Sequence, residues 1–426
     1  MSIHRKSGVL ALGAAAALVL AGCAGSGGPV AESTGKGDIP TDTEGSVRVL
    51  LETVPDSDIV MGMIEGFSEK YPSIDVEIDQ LPFDQMRDRL ISSFQAPTPT
   101  YDLIVVDNPW MVDFAEAGFL EPLDQRIATT TDFDADDFYK PLSDITTVND
   151  EQYAVPFYNY ALGYIYRTDL VESPPETLDE LVSTSQALNT ADHAGLAMQP
   201  QRGYKIFEEW ANWLFAAGGS IYDANGEPTL NSPEAKQALD AYIEAFNTAA
   251  PKNSINWAVD DAVRSVSSGG SAALITYNWN LPVLNSPDGA AGDLAGKFAL
   301  APMPGGKQAL GSWSWAIPAN SGDADAAWAF ISWVTSKDVD VQRVAAGGAA
   351  TRQSTLESPE VLADGFGAEY YEAVQKILSN ASPLSQGPSG EEFIQDIGTE
   401  LSKAVAGTSS VEEALDAAQA AAERLR

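Results

Sequence analysis

Aromatic rings stand beside acids and amides at several points where a strand or loop is expected to end. Asp107, Asn108 and Trp110 fall together in "VVDNPW", Tyr158 and Tyr160 flank Asn159 in "YNY", and Asn278 adjoins Trp279 in "YNWN". Trp313 and Trp315 straddle Ser314 in "SWSWA", Glu52 follows the apolar run "VRVLL", and Arg352 lies in "TRQST". Carboxylates accept hydrogen bonds, guanidinium and amide groups donate them, and ring faces pack on C–H surface. Such a set suits a ligand with hydroxyl edges and apolar faces. Trp313 and Trp315 alternate, so on a strand both face one side, which is either core or cleft. Trp210, Trp213, Trp328 and Trp333 fall in helical patterns and are expected in the core.

Bond-making chemistry has weaker support. There is no G-x-S-x-G elbow, no cluster with metal-ligand spacing and no phosphate-cradling loop after a strand; the two histidines are His4 and His193, far apart. No metal or cofactor is expected. A glycoside hydrolase needs two carboxylates across a groove, and 61 acids supply candidate pairs by chance. A surface glycosidase therefore stays as an alternative. The net charge of −37 opposes binding to nucleic acid or to anionic headgroups.

The elements that would position these side chains alternate. Val47–Leu51 is a β-branched strand, and apolar residues from Ile59 to Tyr71 recur at helical spacing until Pro72. Ile74, Val76 and Ile78 alternate with acids as a half-exposed strand, a helix follows over Phe83–Phe94, and Leu103–Val106 reads as a buried parallel strand. This is a doubly wound α/β pattern, in which ligands bind outside the carboxyl ends of the strands. Glu52 and Asp107 each stand just past such an end. Farther on, Ser232 caps a helix that starts at Pro233, and Ser410–Glu413 is a capping box.

The chain's one cysteine, Cys23, follows a short basic start and an apolar run from Gly8 to Ala21. That run is too short to span a bilayer comfortably and reads as a secretory signal. Leu20-Ala21-Gly22-Cys23 resembles the lipobox of bacterial lipoproteins, which implies cleavage before Cys23 and its acylation, palmitate being one such chain. Residues 1–22 would be the signal peptide. Residues 23–44 are small and polar and are expected to form a flexible tether.

Six segments occur in order: "YDLIVVDNPWMVDFAEAGFLEPLD" (101–124), "YAVPFYNYALGYIYRTDL" (153–170), "PPETLDEL" (174–181), "GGSIYDANGEPTLNSPEAKQAL" (218–239), "GGSAALITYNWN" (269–280) and "SWSWAIPANS" (312–321). Together they resemble the extracellular solute-binding proteins of carbohydrate-type ATP-driven importers, the maltose-binding protein family. The resemblance implies an α/β, two-lobed periplasmic-binding-protein fold with three hinge crossings and a ligand cleft between the lobes. Crossings would fall near Tyr160, near Lys297–Ala301 and near Thr335–Asp340. Lobe one would be 45–159 with 300–337, and lobe two 160–299 with 338–426. It also implies a carbohydrate ligand, membrane permease subunits as partners, a monomer on the extracytoplasmic face, and Arg202 and Tyr204 near the ligand. A polyol or a peptide stays as an alternative cargo.

Overall fold

The computed structural model describes residues 35–364 and 366–425. The cysteine, the signal sequence and the first part of the expected tether lie outside them.

Among the described residues an eight-stranded mixed sheet forms the spine. Its strands are β1 (Gly45–Glu52), β2 (Ile74–Leu81), β3 (Leu103–Asp107), β4 (Val155–Arg167), β5 (Ala273–Tyr277), β6 (Phe298–Ala301), β7 (Gln308–Ala316) and β8 (Ala381–Pro383). Six run in the order β2-β1-β3-β7-β4-β5, with β6 also on β4 and β8 on β7. The β2-β1-β3 part is parallel, as βαβ connections require, while β7 enters antiparallel to both β3 and β4. Helices used below are α1 (Pro55–Gly62), α2 (Phe83–Phe94), α3 (Tyr204–Ala216), α4 (Ala324–Val334), α5 (Lys337–Ala345) and α6 (Gly390–Val405).

The apolar residues do not gather into one core. Val47, Val49, Leu103 and Val105 pack with Trp328, Phe330 and Trp333 of α4. A second cluster joins Trp210 and Trp213 to Tyr242, Ile394 and Leu401, and a third holds Ile165, Leu274 and Ile377. Strand β4 runs from the first cluster into the others, with Tyr158 in one and Leu162 in the next. Strand β7 does the same between Trp313 and Leu310. The result is an α/β fold of two lobes threaded by shared strands. The four helical tryptophans are all buried, as their periodicity predicts.

Three details differ from the sequence reading. The helix expected to Tyr71 is broken at Met63 into Pro55–Gly62 and Ile64–Lys70. The crossing expected near Tyr160 lies inside one continuous strand, β4, which runs on to Arg167 and contributes to all three clusters. The tether expected through residue 44 is, from Gly35 on, seated on the body. Trp328 Nε1 donates to the Gly37 carbonyl at 2.8 Å, Arg126 donates to the Lys36 carbonyl at 3.1 Å, and Ile39 is buried. Asp38 accepts from the Thr131 amide and hydroxyl. Composition misses this contact because backbone carbonyls, not side chains, satisfy the buried indole and guanidinium. A Cβ on Gly37 would lie 2.3 Å from the Thr129 backbone, so the close approach requires glycine.

Candidate functional site

Glu52 ends β1 and Asp107 ends β3, on the carboxyl rim that a parallel sheet offers a ligand. Both are buried. The Tyr158 hydroxyl donates to Glu52 Oε2 at 2.6 Å. Burial pushes the Glu52 carboxyl up to about 7, against the opposing pull of the Tyr158 hydrogen bond and the Lys205 charge. Burial also lifts Asp107 well above the usual carboxylate range, and the Glu52 charge adds to that lift. Two acids that resist ionising can each donate as well as accept, which suits hydroxyl groups.

Rings extend from these acids across both lobes. Tyr158 lies 6.1 Å from Trp313, near-parallel, and 4.8 Å from Tyr160. Tyr160 in turn is 5.8 Å from Trp279 and 5.6 Å from Tyr277. The register explains the first pair, since Trp313 stands opposite both Asp107 and Tyr158. Two side-chain atoms of this ring cluster, Tyr160 Oη and Trp279 Nε1, are buried without a hydrogen-bond partner among the described residues. Each such orphan costs about 1–3 kcal/mol if it stays unpaired, so the arrangement favours a ligand that supplies partners.

A cation lies beside these rings. Lys205 Nζ donates to Tyr277 Oη at 2.6 Å and to Glu208 Oε2 at 2.9 Å, and Tyr277 donates to Glu208. Neither Lys205 nor Glu208 was expected from sequence. Lysine and glutamate three apart at a helix start read as an exposed pair, and only the fold turns them inward.

Trp110 and Asn108 are brought to the same rim but are already engaged. Trp110 is buried, with its Nε1 donating to Glu391 at 2.8 Å, its face stacked on Phe83 and the edge of Trp313 5.2 Å away. Asn108 Nδ2 lies 3.5 Å from the Ser385 carbonyl and lines a crevice of about 400 Å³ with Met111, Pro141 and Pro383. Asn278 donates to Asn159, which donates to the Ala350 carbonyl, tying β4 to the 349–351 turn.

Three expected residues are placed elsewhere. Trp315 is fully buried against Phe157 at 4.2 Å and Phe330 at 5.6 Å, inside the first core. Arg352 is buried over the Phe138 ring and spends its donors on the carbonyls of Thr335, Asp134 and Phe133 and on Asp137. Arg202 is exposed, its Nε 3.4 Å from Thr399 Oγ1. An arginine in a predicted loop looks free until the carbonyls it serves, two of them more than 200 residues away in the chain, are folded around it.

Beneath the site runs a buried ion pair. Asp56, four residues past Glu52, lies 3.0 Å from Arg343 of α5, which also meets Asp340 at 2.6 Å. Asp56 further accepts the Ala349 amide, and the Arg343 guanidinium covers the Phe157 ring. Burial pushes the Asp56 carboxyl up, and the Arg343 charge partly restores it.

Comparison with known proteins places this geometry. A family model described as "Bacterial extracellular solute-binding protein" matches residues 53–341. A mannitol-binding protein of Pseudomonas aeruginosa is 27% identical over 89% of this chain and 93% of its own. A solute-binding protein of Agrobacterium radiobacter, solved with ribitol, superposes with a TM-score of 0.77 at 25% identity, covering 91% of this chain and 100% of that one. A maltose-bound binding protein of T. maritima superposes at 0.78 with 24% identity, over 90% and 100% of the two chains.

Proposed function

The chain belongs to the bacterial extracellular solute-binding protein family, and from that premise we propose that it captures a sugar or polyol for an ATP-driven importer. The observation that carries this reading is the grouping of Glu52 and Asp107 with Tyr158, Tyr160, Trp279 and Trp313, a set of aromatic rings that carries two orphaned polar atoms, Tyr160 Oη and Trp279 Nε1. Acids and orphaned donors suit hydroxyls, and the rings suit C–H faces. Relatives named or solved with mannitol, ribitol and maltose support the same class.

In this reading lobe one is 45–159 with 300–337 and lobe two 160–299 with 338–426. The solute bridges Glu52, Asp107 and Trp313 on one side and Trp279 and Lys205 on the other. Its greater affinity for the closed form shifts the open–closed equilibrium, and the closed protein docks on a membrane permease. No bond is made or broken. Cys23 carries an acyl chain that holds a monomer at the outer face of the membrane, so Cys23→Ser releases it into the soluble fraction. A variant that stayed with the membrane would contradict the anchor.

The test is a thermal-shift screen of the purified protein against sugars, polyols, amino acids and peptides, with product analysis after long incubation. A solute at 100 times its dissociation constant adds about 2.7 kcal/mol. A shift with polyols or sugars and no product supports the reading. Turnover of that sugar transfers the site to a glycosidase, and a shift with peptides alone refutes the cargo.

A further inference from the structure

Phe83 is the one ring of its cluster left substantially exposed, at 38%, while Trp110 and Trp313 are 1% and 4% exposed. It opens α2 directly after Pro82. Its ring stacks on Trp110 at 5.6 Å and 24°, and meets Trp313 at 6.0 Å and 78°. From the second lobe, Tyr204 approaches it edge-on at 6.4 Å. Three rings from three separate segments thus converge on one phenyl group.

Partial exposure of one phenyl group is ordinary; what sets Phe83 apart is that two buried indoles and Tyr204 all converge on it. The Trp110 face is where a second sugar ring could stack beside one held at Glu52 and Asp107, and the Phe83 ring already fills it. Tyr204 closes the opposite edge.

We propose that Phe83 is a specificity-determining residue: by covering the face of Trp110 beside Trp313 it restricts the site to a solute about one sugar ring long, an alditol or a monosaccharide. This rests on the sugar-or-polyol reading above. Removing the cap lengthens the site and leaves the acids untouched. Phe83→Ala therefore raises affinity for a disaccharide relative to an alditol, while Phe83→Val, which shrinks the cap and keeps an apolar first turn, gives a smaller change in the same direction.

The experiment is calorimetric titration of the wild-type protein and both variants with mannitol, ribitol and maltose, with unfolding curves to confirm folding. Wild type should prefer the alditols. In Phe83→Ala the maltose-to-mannitol affinity ratio should rise at least about tenfold, the discrimination that a change of one small group in a pocket produces. Should Phe83→Ala fail to fold, the ratio in Phe83→Val decides. A ratio unchanged within about twofold, or equal weakening of all three ligands, overturns the size filter; the second result makes Phe83 an ordinary stacking surface. A wild type that prefers maltose overturns the filter and leaves the sugar reading standing. A wild type that binds none of the three, nor any other sugar or polyol, removes both.

Discussion

The Tyr158 hydroxyl and the Glu52 carboxylate meet at 2.6 Å, joining the strand that passes between the two cores to the carboxyl end of β1. Folded Glu52 keeps its proton up to about pH 7, whereas an unfolded glutamate releases it near 4.5. Between those values the folded state binds more protons, so stability falls as pH rises through the window. The full effect of a shift this size is about 3 kcal/mol. Glu209, pushed up to about 8 by burial, acts in the same direction. Glu52→Gln should therefore flatten the decline in melting temperature between pH 5 and pH 8 without abolishing it. Parallel wild-type and variant profiles would show that Glu52 does not hold its proton in the folded state.

Trp279 and Tyr160 carry orphaned polar atoms, so truncating them should weaken ligand binding more than folding. Trp279→Ala is expected to lose about 1–3 kcal/mol of binding free energy, the scale of a well-buried aromatic contact. Tyr160→Phe removes only the hydroxyl and should lose about 1 kcal/mol, one hydrogen bond's worth. Titration of a solute identified by the thermal screen measures both. Unchanged affinity in two folded variants would remove these residues from the site.

Trp315 should behave in the opposite manner. It is enclosed by Phe157 and Phe330, and Trp315→Ala should cost about 3–5 kcal/mol of stability. Urea unfolding reads that loss. If the truncation leaves stability within about 0.5 kcal/mol, the residue does not pack as described.

Asp56 and Arg343 form a pair with side chains 5% and 2% exposed. Removing one partner strands the other charge in the core, so Arg343→Met should destabilise by about 3–5 kcal/mol. The double change Asp56→Leu with Arg343→Met should recover part of the loss, because Asp56 is no longer stranded and only Asp340 loses its guanidinium partner. A double variant less stable than the single one would argue that the pair contributes net stability.

Local pattern carried much of the fold. β1, β2 and β3 were readable from alternation and β-branching, and the carboxyl-end rule placed Glu52 and Asp107 before any contact was known. Pattern could not separate Trp313 from Trp315, because alternation fixes the face of a strand and not what covers it at each end. Here Phe157 and Phe330 cover one ring, while Trp110 and Phe83 meet the other. Phe83 itself read as the first apolar residue of a helix, since its three ring partners lie 27, 121 and 230 positions along the chain. Arg352 was unreadable for a related reason: its donors go to backbone carbonyls, two of them remote in the chain, which carry no sequence signal.

The seating of Gly35–Ile39 under Trp328 and Arg126 also sets the length of a leash. An extended chain spans at most about 3.5 Å per residue, so a free run from Cys23 to Gly45 would reach about 75 Å. With Gly35 pinned, the run from Cys23 is limited to about 40 Å. If Cys23 is acylated as proposed, the α4 face would stay within roughly half that range of the bilayer. Truncation at Gly45, a convenient start for a soluble protein, would strip the Trp328 indole of its Gly37 carbonyl and leave the Arg126 guanidinium without the Lys36 carbonyl.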